Sequence, residues 1–126
     1  MKSKFRGVLE HIYKTIKKKR ILYIGVAEYS NDVKILEENN KVISIDKDML
    51  KGKFGAKKHY CMSISGIVDF PDNYFDLVIM VGVHGYGLNN IEDLLKSFDN
   101  IKRILKYNGN LILTLNNNEH KKNNKD

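Results

Sequence analysis

The sequence has 126 residues, of which 42% are apolar and 29% charged, and it carries a formal net charge of +7. These values are typical of one soluble globular domain, and they exclude a disordered or fibrous chain. No apolar run approaches the roughly 18 residues that a membrane span needs. The N-terminus lacks the apolar stretch and cleavage site of a signal peptide.

Cysteine and histidine are too sparse to indicate a disulfide framework or a metal site. The single cysteine, Cys61, cannot form an internal disulfide, which favours a reducing, cytoplasmic setting. We interpret Cys61 as a small core or interface residue. The four histidines show no metal-ligand spacing, so we expect no metal. They are His11, His59, His84 and His120.

The first half of the chain alternates helical and strand patterns. It opens with a helix whose apolar residues recur every three or four positions; these are Phe5, Val8, Leu9, Ile12, Tyr13 and Ile16. Residues 21–24 form a short apolar run that ends at Gly25, which is typical of a buried strand. A polar cluster at residues 30–32 begins a second helix. Residues 42–45 form the second strand, with Asp46 at its carboxyl end.

The middle of the chain is polar and then strongly apolar. We interpret residues 47–58 as a short helix or loop and residues 59–62 as a third strand. Residues 70–73 predict a turn. Residues 75–81 form the strongest strand pattern, and they are followed by a glycine-rich loop at residues 82–87.

The last predicted elements are a long helix and a strand. The apolar side of this helix comprises Ile91, Leu94, Leu95, Phe98, Ile101 and Leu105. Gly109 occupies the position expected of a glycine that ends a helix. The strand runs from Leu111 to Leu115. We predict one domain over residues 1–116 and a disordered polar tail over residues 117–126.

Apolar strands that alternate with helices predict an α/β fold, a Rossmann-like three-layer α/β/α sandwich. Its sheet is mainly parallel and five-stranded, with the order 3-2-1-4-5, because right-handed crossovers place the first strand near the middle. Ligands bind such sheets beyond the carboxyl ends of the strands. Gly25 and Asp46 therefore face the same crevice.

A glycine after the first strand lets a ligand approach the backbone closely. An acid at the end of the next strand can accept both hydroxyls of a ribose, as nucleoside-cofactor sites require. The alternative is that Gly25 forms only a tight turn and Asp46 a solvated strand end.

Four segments resemble the successive motifs of class I S-adenosylmethionine-dependent methyltransferases of type 11. They are ILYIGVAEYS at residues 21–30, VISIDKD at 42–48, FPDNYFDLVIMV at 70–81 and RILKYNGNLILTL at 103–115. The resemblance implies S-adenosylmethionine as cofactor, held by the first loop, with its ribose on the acid after strand two and its adenine beside the end of strand three. It also implies a short form that lacks the family's C-terminal strands.

The resemblance assigns cofactor contacts residue by residue. They fall on Gly25, Val26, Ala27, Glu28, Asp46, Lys47, Ser63, Ile64 and Val81. The family's acid two places before the loop glycine is Tyr23 here, and its later glycines are Ala27 and Tyr29. Ser63 or Ser65 replaces the acid that often faces adenine. His84, in the loop after strand four, is the candidate catalytic base.

The truncated sheet leaves the strand from Leu111 to Leu115 as an apolar edge, which invites pairing. We therefore expect a homodimer or a heteromeric partner that covers it. The methyl acceptor is open, either a small molecule or a macromolecule. One alternative is a catalytically inactive binding or scaffold protein, favoured by the irregular first loop. Another is a nucleotide- or NAD-binding domain, which the missing glycine fingerprint disfavours.

Basic clusters raise nucleic acid as a partner, although we weigh it as a minor hypothesis. The clusters lie at residues 17–20, 51–58 and 120–126. Aromatic residues of the kind that stack on bases are not interleaved within these runs. We prefer the interpretation that these runs form solvated basic faces.

Overall fold

A computed structural model describes residues 4–26, 31–66, 69–80 and 91–113 of the chain. Its helices and strands follow one another in the predicted order, with a 3₁₀ helix in the polar stretch after the second strand. They are α1 (Lys4–Thr15), β1 (Arg20–Ile24), α2 (Asp32–Glu37), β2 (Lys41–Asp46), the 3₁₀ helix (Met49–Phe54), β3 (Lys58–Cys61), β4 (Phe75–Met80), α3 (Ile91–Ile104) and β5 (Leu105–Leu113).

The five strands form one parallel sheet in the order β3-β2-β1-β4-β5. β1 is central, where Ile21 pairs with Val42 of β2 on one side and with Leu77 of β4 on the other. The predicted Rossmann-like α/β fold and its strand order are confirmed. All carboxyl ends of the strands therefore meet at one edge of the sheet, and all amino ends meet at the opposite edge.

Two apolar clusters cover the two faces of this sheet. One packs α1 and α2 against β1 and includes Tyr13 and Leu36, both fully buried. The other packs α3 against β1 and β4 and includes Phe75 and Ile101. Successive residues of a strand point to opposite faces, so β1 supplies both clusters. This gives the three-layer sandwich expected from the sequence.

The junction between α3 and β5 differs from the prediction. Gly109 does not end the helix, because α3 stops at Ile104 and β5 begins at the next residue. Phe75 pairs with Leu105 and Leu77 pairs with Asn110, so β5 bulges between these two pairs. A Cβ on Gly109 would lie 2.8 Å from Leu105 Cδ2, which explains why a glycine fits inside the bulge.

Cys61 and Asp76 lie at opposite ends of the strands. Cys61 is exposed, so its interpretation as a core residue is wrong; it lies at the end of β3, an edge strand, and donates to the Lys47 carbonyl at 3.3 Å. Asp76 accepts from the Arg20 N–H at 2.8 Å and from Lys106 Nζ at 3.0 Å. These two donors hold the pKa of Asp76 below its ordinary value. Asp76 thus ties β1 and β5 to β4, away from the carboxyl edge.

Some predictions concern parts of the chain beyond the described residues. The polar tail at residues 117–126 and the glycine-rich loop at residues 82–87 belong to this group, so the one-domain division at residue 116 stays a prediction. Among the helices that the structure describes, none is both long and apolar enough to span a bilayer.

Candidate cofactor site

The first loop turns sharply where β1 ends. Gly25 adopts a φ of 82°, a left-handed conformation that side-chain-bearing residues rarely take, so glycine is needed here. The Gly25 N–H donates to the Ile45 carbonyl at 2.9 Å, which draws the loop toward β2. Val26 follows and is almost fully buried.

The Asp46 carboxylate joins this loop to the end of β2. Its Oδ2 accepts from the Val26 N–H at 2.9 Å, and its Oδ1 accepts from the Asp48 N–H at 2.8 Å. The residue is only 4% exposed. A carboxylate offers about four acceptor positions, so each oxygen retains capacity for one more hydrogen. The residues present therefore fit a ribose, whose two hydroxyls need two adjacent acceptors.

The turn after β3 forms the neighbouring wall. The Ser63 and Ser65 hydroxyls bond each other at 2.9 Å, and Ile64 is buried in the core on the α3 side. Asn100 of α3 donates from Nδ2 to the Ile64 carbonyl at 2.7 Å and to the Gly66 carbonyl at 3.0 Å. Asn100 therefore fixes the backbone of this turn, a role that the sequence did not indicate.

A buried pair supports the first loop from the side of α2. The Tyr23 hydroxyl donates to Asp32 Oδ2 at 2.8 Å, and both residues are at most 1% exposed. Tyr23 stands where the family usually has an acid, and its hydroxyl reaches an acid at the start of α2. The pair thus ties the end of β1 to the helix that follows the loop. The sequence placed Asp32 at the start of the second helix but did not indicate its bond with Tyr23.

We expect Tyr23→Phe to lower the free energy of unfolding by about 1–3 kcal/mol, since it takes a donor from a buried carboxylate. Urea unfolding measures this change. Tyr60→Phe is the matched control, because Tyr60 is 45% exposed; its expected effect stays within about 0.5 kcal/mol. Equal stability of Tyr23→Phe and the unaltered chain would show that the pair does not support the loop.

His59 of β3 lies behind the site, against β2. Its Nδ1 is 2.7 Å from the Ser44 hydroxyl, which also accepts from the Ala56 N–H at 2.8 Å. A Cβ on Gly55 would lie 2.5 Å from this ring nitrogen, so the backbone packs directly on the imidazole. Burial lowers the pKa of His59 from its ordinary value of 6.5, and the charge of Asp46 opposes that shift.

This lowered pKa predicts a loss of stability in acid. A histidine with a lower pKa in the folded state binds fewer protons there than in the unfolded chain, so protonation favours unfolding. The unfolding free energy is therefore unaffected by His59 above its ordinary pKa and falls as the pH drops below it. Urea unfolding between about pH 8 and about pH 5 measures the slope. His59→Gln should make the unfolding free energy less dependent on pH in this range. His11→Gln, on the exposed surface of α1, is the control and should leave the pH dependence as it is. An unchanged pH dependence in His59→Gln would contradict the lowered pKa of His59.

The structure brings together some of the predicted site residues. Gly25, Val26 and Asp46 form one bonded unit. Lys47 is exposed beside them. Ser63 and Ile64 lie in the turn that follows β3, just after Met62, whose N–H donates to the Asp46 carbonyl at 3.1 Å. The other predicted contacts, Ala27, Glu28, Val81 and the candidate base His84, lie outside the described residues. Within the described ranges, no group of three metal-ligating side chains could hold an ion.

Comparison with solved structures shows the same fold in several proteins. The YcgJ protein from Bacillus subtilis matches with a TM-score of 0.67 and 18% identity, over 86% of this chain and 48% of its own. The N-methyltransferase NodS from Bradyrhizobium japonicum matches with a TM-score of 0.70 and 18% identity, over 86% and 65%. A TehB-like S-adenosylmethionine-dependent methyltransferase from Corynebacterium glutamicum matches with a TM-score of 0.67 and 17% identity, over 86% and 60%.

The chain spans about half to two thirds of the length of these structures. Identities this low show the fold alone. A search of curated proteins finds no match to the sequence. The family model described as a methyltransferase domain, however, matches residues 22–113, which include every strand of the sheet in whole or in large part. The chain therefore belongs to the class I S-adenosylmethionine-dependent methyltransferase family.

Proposed function

We propose that this chain binds S-adenosylmethionine at the carboxyl edge of its sheet, with the ribose hydroxyls on Asp46. The observation that carries the proposal is the buried Asp46 carboxylate, held by the Val26 and Asp48 N–H groups with acceptor capacity left on both oxygens. The positive φ of Gly25 turns the first loop beside this carboxylate. The turn at Ser63 and Ile64, fixed by Asn100, supplies the wall for adenine.

We further propose that the chain is a methyltransferase whose acceptor is a small molecule or a macromolecule. The bound cofactor supplies an activated methyl group on a sulfonium. The protein's own task is then to hold the acceptor nucleophile in line with that methyl group, since positioning accounts for much of such a rate. The loop after β4, with His84 as the candidate base, is where we place the acceptor.

Calorimetric titration tests this proposal. We expect S-adenosylmethionine and S-adenosylhomocysteine to bind with dissociation constants below about 1 mM, and NAD⁺ and ATP to bind far more weakly. Binding of both cofactor forms without methyl transfer to any acceptor would favour the scaffold alternative. Absence of binding by either form, with preferred binding of NAD⁺, would contradict the proposal and favour the nucleotide-binding alternative.

The edge of β5 supports a proposal about assembly. β5 is the outermost strand on its side of the sheet that the structure describes, and its Leu111 and Leu113 are 37% and 40% exposed. We propose that a second copy pairs with residues 111–113 of this edge about a twofold axis, so that the bulge at residues 106–109 stays outside the interface. The two copies of this segment then run antiparallel, and the exposed leucines of one copy cover those of the other. Because the same segment serves both sides of such a contact, the edge favours a homodimer over a heteromeric partner.

We expect sedimentation to give twice the monomer mass of 14.6 kDa. Leu111→Lys should give the monomer, because a charge on an exposed edge strand opposes pairing. Val8→Lys, at a 57% exposed apolar position on α1, should stay dimeric. A monomer in the unaltered chain would overturn the assembly proposal.

A cytoplasmic location is also proposed, supported by the single exposed cysteine.

A further inference from the structure

A cleft of about 660 Å³ lies at the amino edge of the sheet, the edge opposite to Asp46. Apolar side chains line part of it: Ile16 from the end of α1, Leu77 from β4 and Ile112 from β5. The cleft is open to solvent and belongs to the size range of small-ligand sites. It takes no part in the cofactor site described above.

The bulge in β5 forms one side of this cleft. Between the pairs Phe75–Leu105 and Leu77–Asn110, β5 has the four residues 106–109 where β4 has only Asp76, so three residues of β5 are extra. Tyr107 lies in this bulge and is 97% exposed, although it borders the cleft. An aromatic ring presented in this way is available to stack on another flat ring.

The polar groups around the cleft are cations and amides. Lys19 and Lys106 lie on its border, and so do Asn108 and Asn110. An asparagine amide both donates and accepts hydrogen bonds, which suits the edge of a nucleobase. Lys106 is partly neutralised by Asp76 at 3.0 Å. The charge of Lys19 acts on the same carboxylate more weakly, as one of the smaller causes that lower the pKa of Asp76.

Basic residues extend from the cleft along the whole amino edge. The fold gathers them because strand starts and helix ends meet at this edge of a parallel sheet. They are Lys17, Lys18, Lys19, Arg20, Lys41, Lys57, Lys58, Lys102 and Lys106. The acids of the same region are fewer, namely Glu37, Glu38, Asp72 and Asp76, and Asp72 pairs with Arg103 at 2.7 Å. This surface therefore attracts a polyanion.

We propose that this cleft and its basic border bind single-stranded nucleic acid, with one base stacked on Tyr107 and phosphates along the amino edge. Unpaired bases stack on aromatic side chains and expose edges to amides, as sites for single strands require. A flat bilayer would contact the lysines but would not fill a concave cleft edged by amides. The fold supplies what the sequence did not show, since Tyr107 lies far along the chain from Lys19 and only the sheet brings them together.

Fluorescence anisotropy with a short labelled oligouridylate tests the proposal on the full chain without cofactor. We expect binding at low salt that weakens as salt rises. Tyr107→Ala should weaken it about five- to 150-fold, the range for loss of one stacked base, and Tyr107→Phe should keep it. Tyr60→Ala, at another exposed ring, is the matched control and should leave the affinity unchanged.

A pair of charge variants tests the basic border separately. Lys19→Gln should reduce the slope of log affinity against log salt by up to about one. Lys96→Gln removes the same charge from α3, where Lys96 pairs with Glu92, and should leave the slope unchanged. No binding of the oligonucleotide, equal binding by Tyr107→Ala, or capture only by phosphatidylserine vesicles would each overturn the proposal. Because cofactor is absent from these measurements, their outcome is independent of the methyltransferase proposal.

Discussion

Replacing Asp46 with alanine is expected to weaken binding of S-adenosylhomocysteine by more than about 100-fold. The variant loses two hydrogen bonds from ribose hydroxyls to a buried carboxylate, each worth about 1.5–3 kcal/mol. It also releases the Val26 and Asp48 N–H groups, which now position the two loops. Calorimetry measures the affinity, and circular dichroism shows whether the fold is retained.

Two further variants make this result specific. Asp46→Asn keeps one oxygen acceptor, so its affinity should lie between those of Asp46→Ala and the unaltered chain. Asp48→Asn makes the same chemical change two residues away while its backbone N–H stays in place, and its affinity should change less than threefold, about 0.6 kcal/mol. A folded Asp46→Ala that binds as tightly as the unaltered chain would show that Asp46 holds no ribose.

The second large effect concerns stability. We expect Phe75→Ala to lower the free energy of unfolding by about 3–5 kcal/mol, because it empties a fully buried site. Phe75 packs edge-to-face on Phe70 and Tyr74, with ring centroids 5.3 and 5.0 Å apart, so those contacts are lost as well. This is a large part of the roughly 5–15 kcal/mol that stabilises a domain.

Urea unfolding followed by circular dichroism checks the Phe75→Ala prediction. Tyr107→Ala is the control, since removing a 97% exposed ring should change stability by less than about 0.5 kcal/mol. That control also ensures that any loss of oligonucleotide binding in Tyr107→Ala is not a loss of fold. A Phe75→Ala variant as stable as the unaltered chain would mean that β4 is not the centre of the core.

The sheet could be predicted from sequence because strands buried on both faces appear as continuous apolar runs. β1 and β4 show this pattern, and the structure places them at the centre of the sheet. Gly25 and Asp46 could be paired for a related reason. The carboxyl ends of neighbouring parallel strands must meet, so a glycine and an acid at those ends become neighbours without knowledge of side-chain packing.

Other features depend on tertiary contacts that no local pattern contains. Gly109 was misassigned because a glycine suits a helix end and a bulge equally well, and only the pairing with β4 distinguishes them. Placing Cys61 in the core was wrong because strand propensity does not tell an edge strand from a central one. The bond from Asn100 to the Ile64 carbonyl joins residues 36 positions apart in the chain.

The most direct test of the account is a two-dimensional ¹H–¹⁵N spectrum recorded while S-adenosylhomocysteine is added. We expect the added ligand to shift the backbone N–H signals of Gly25, Val26 and Asp48 most. The signals of the turn at Ser63 and Ile64 should shift with them. Signals at the amino edge, such as Lys19 and Tyr107, should stay in place. Shifts confined to the amino edge, or no shifts at millimolar ligand, would contradict a cofactor site built on Gly25 and Asp46.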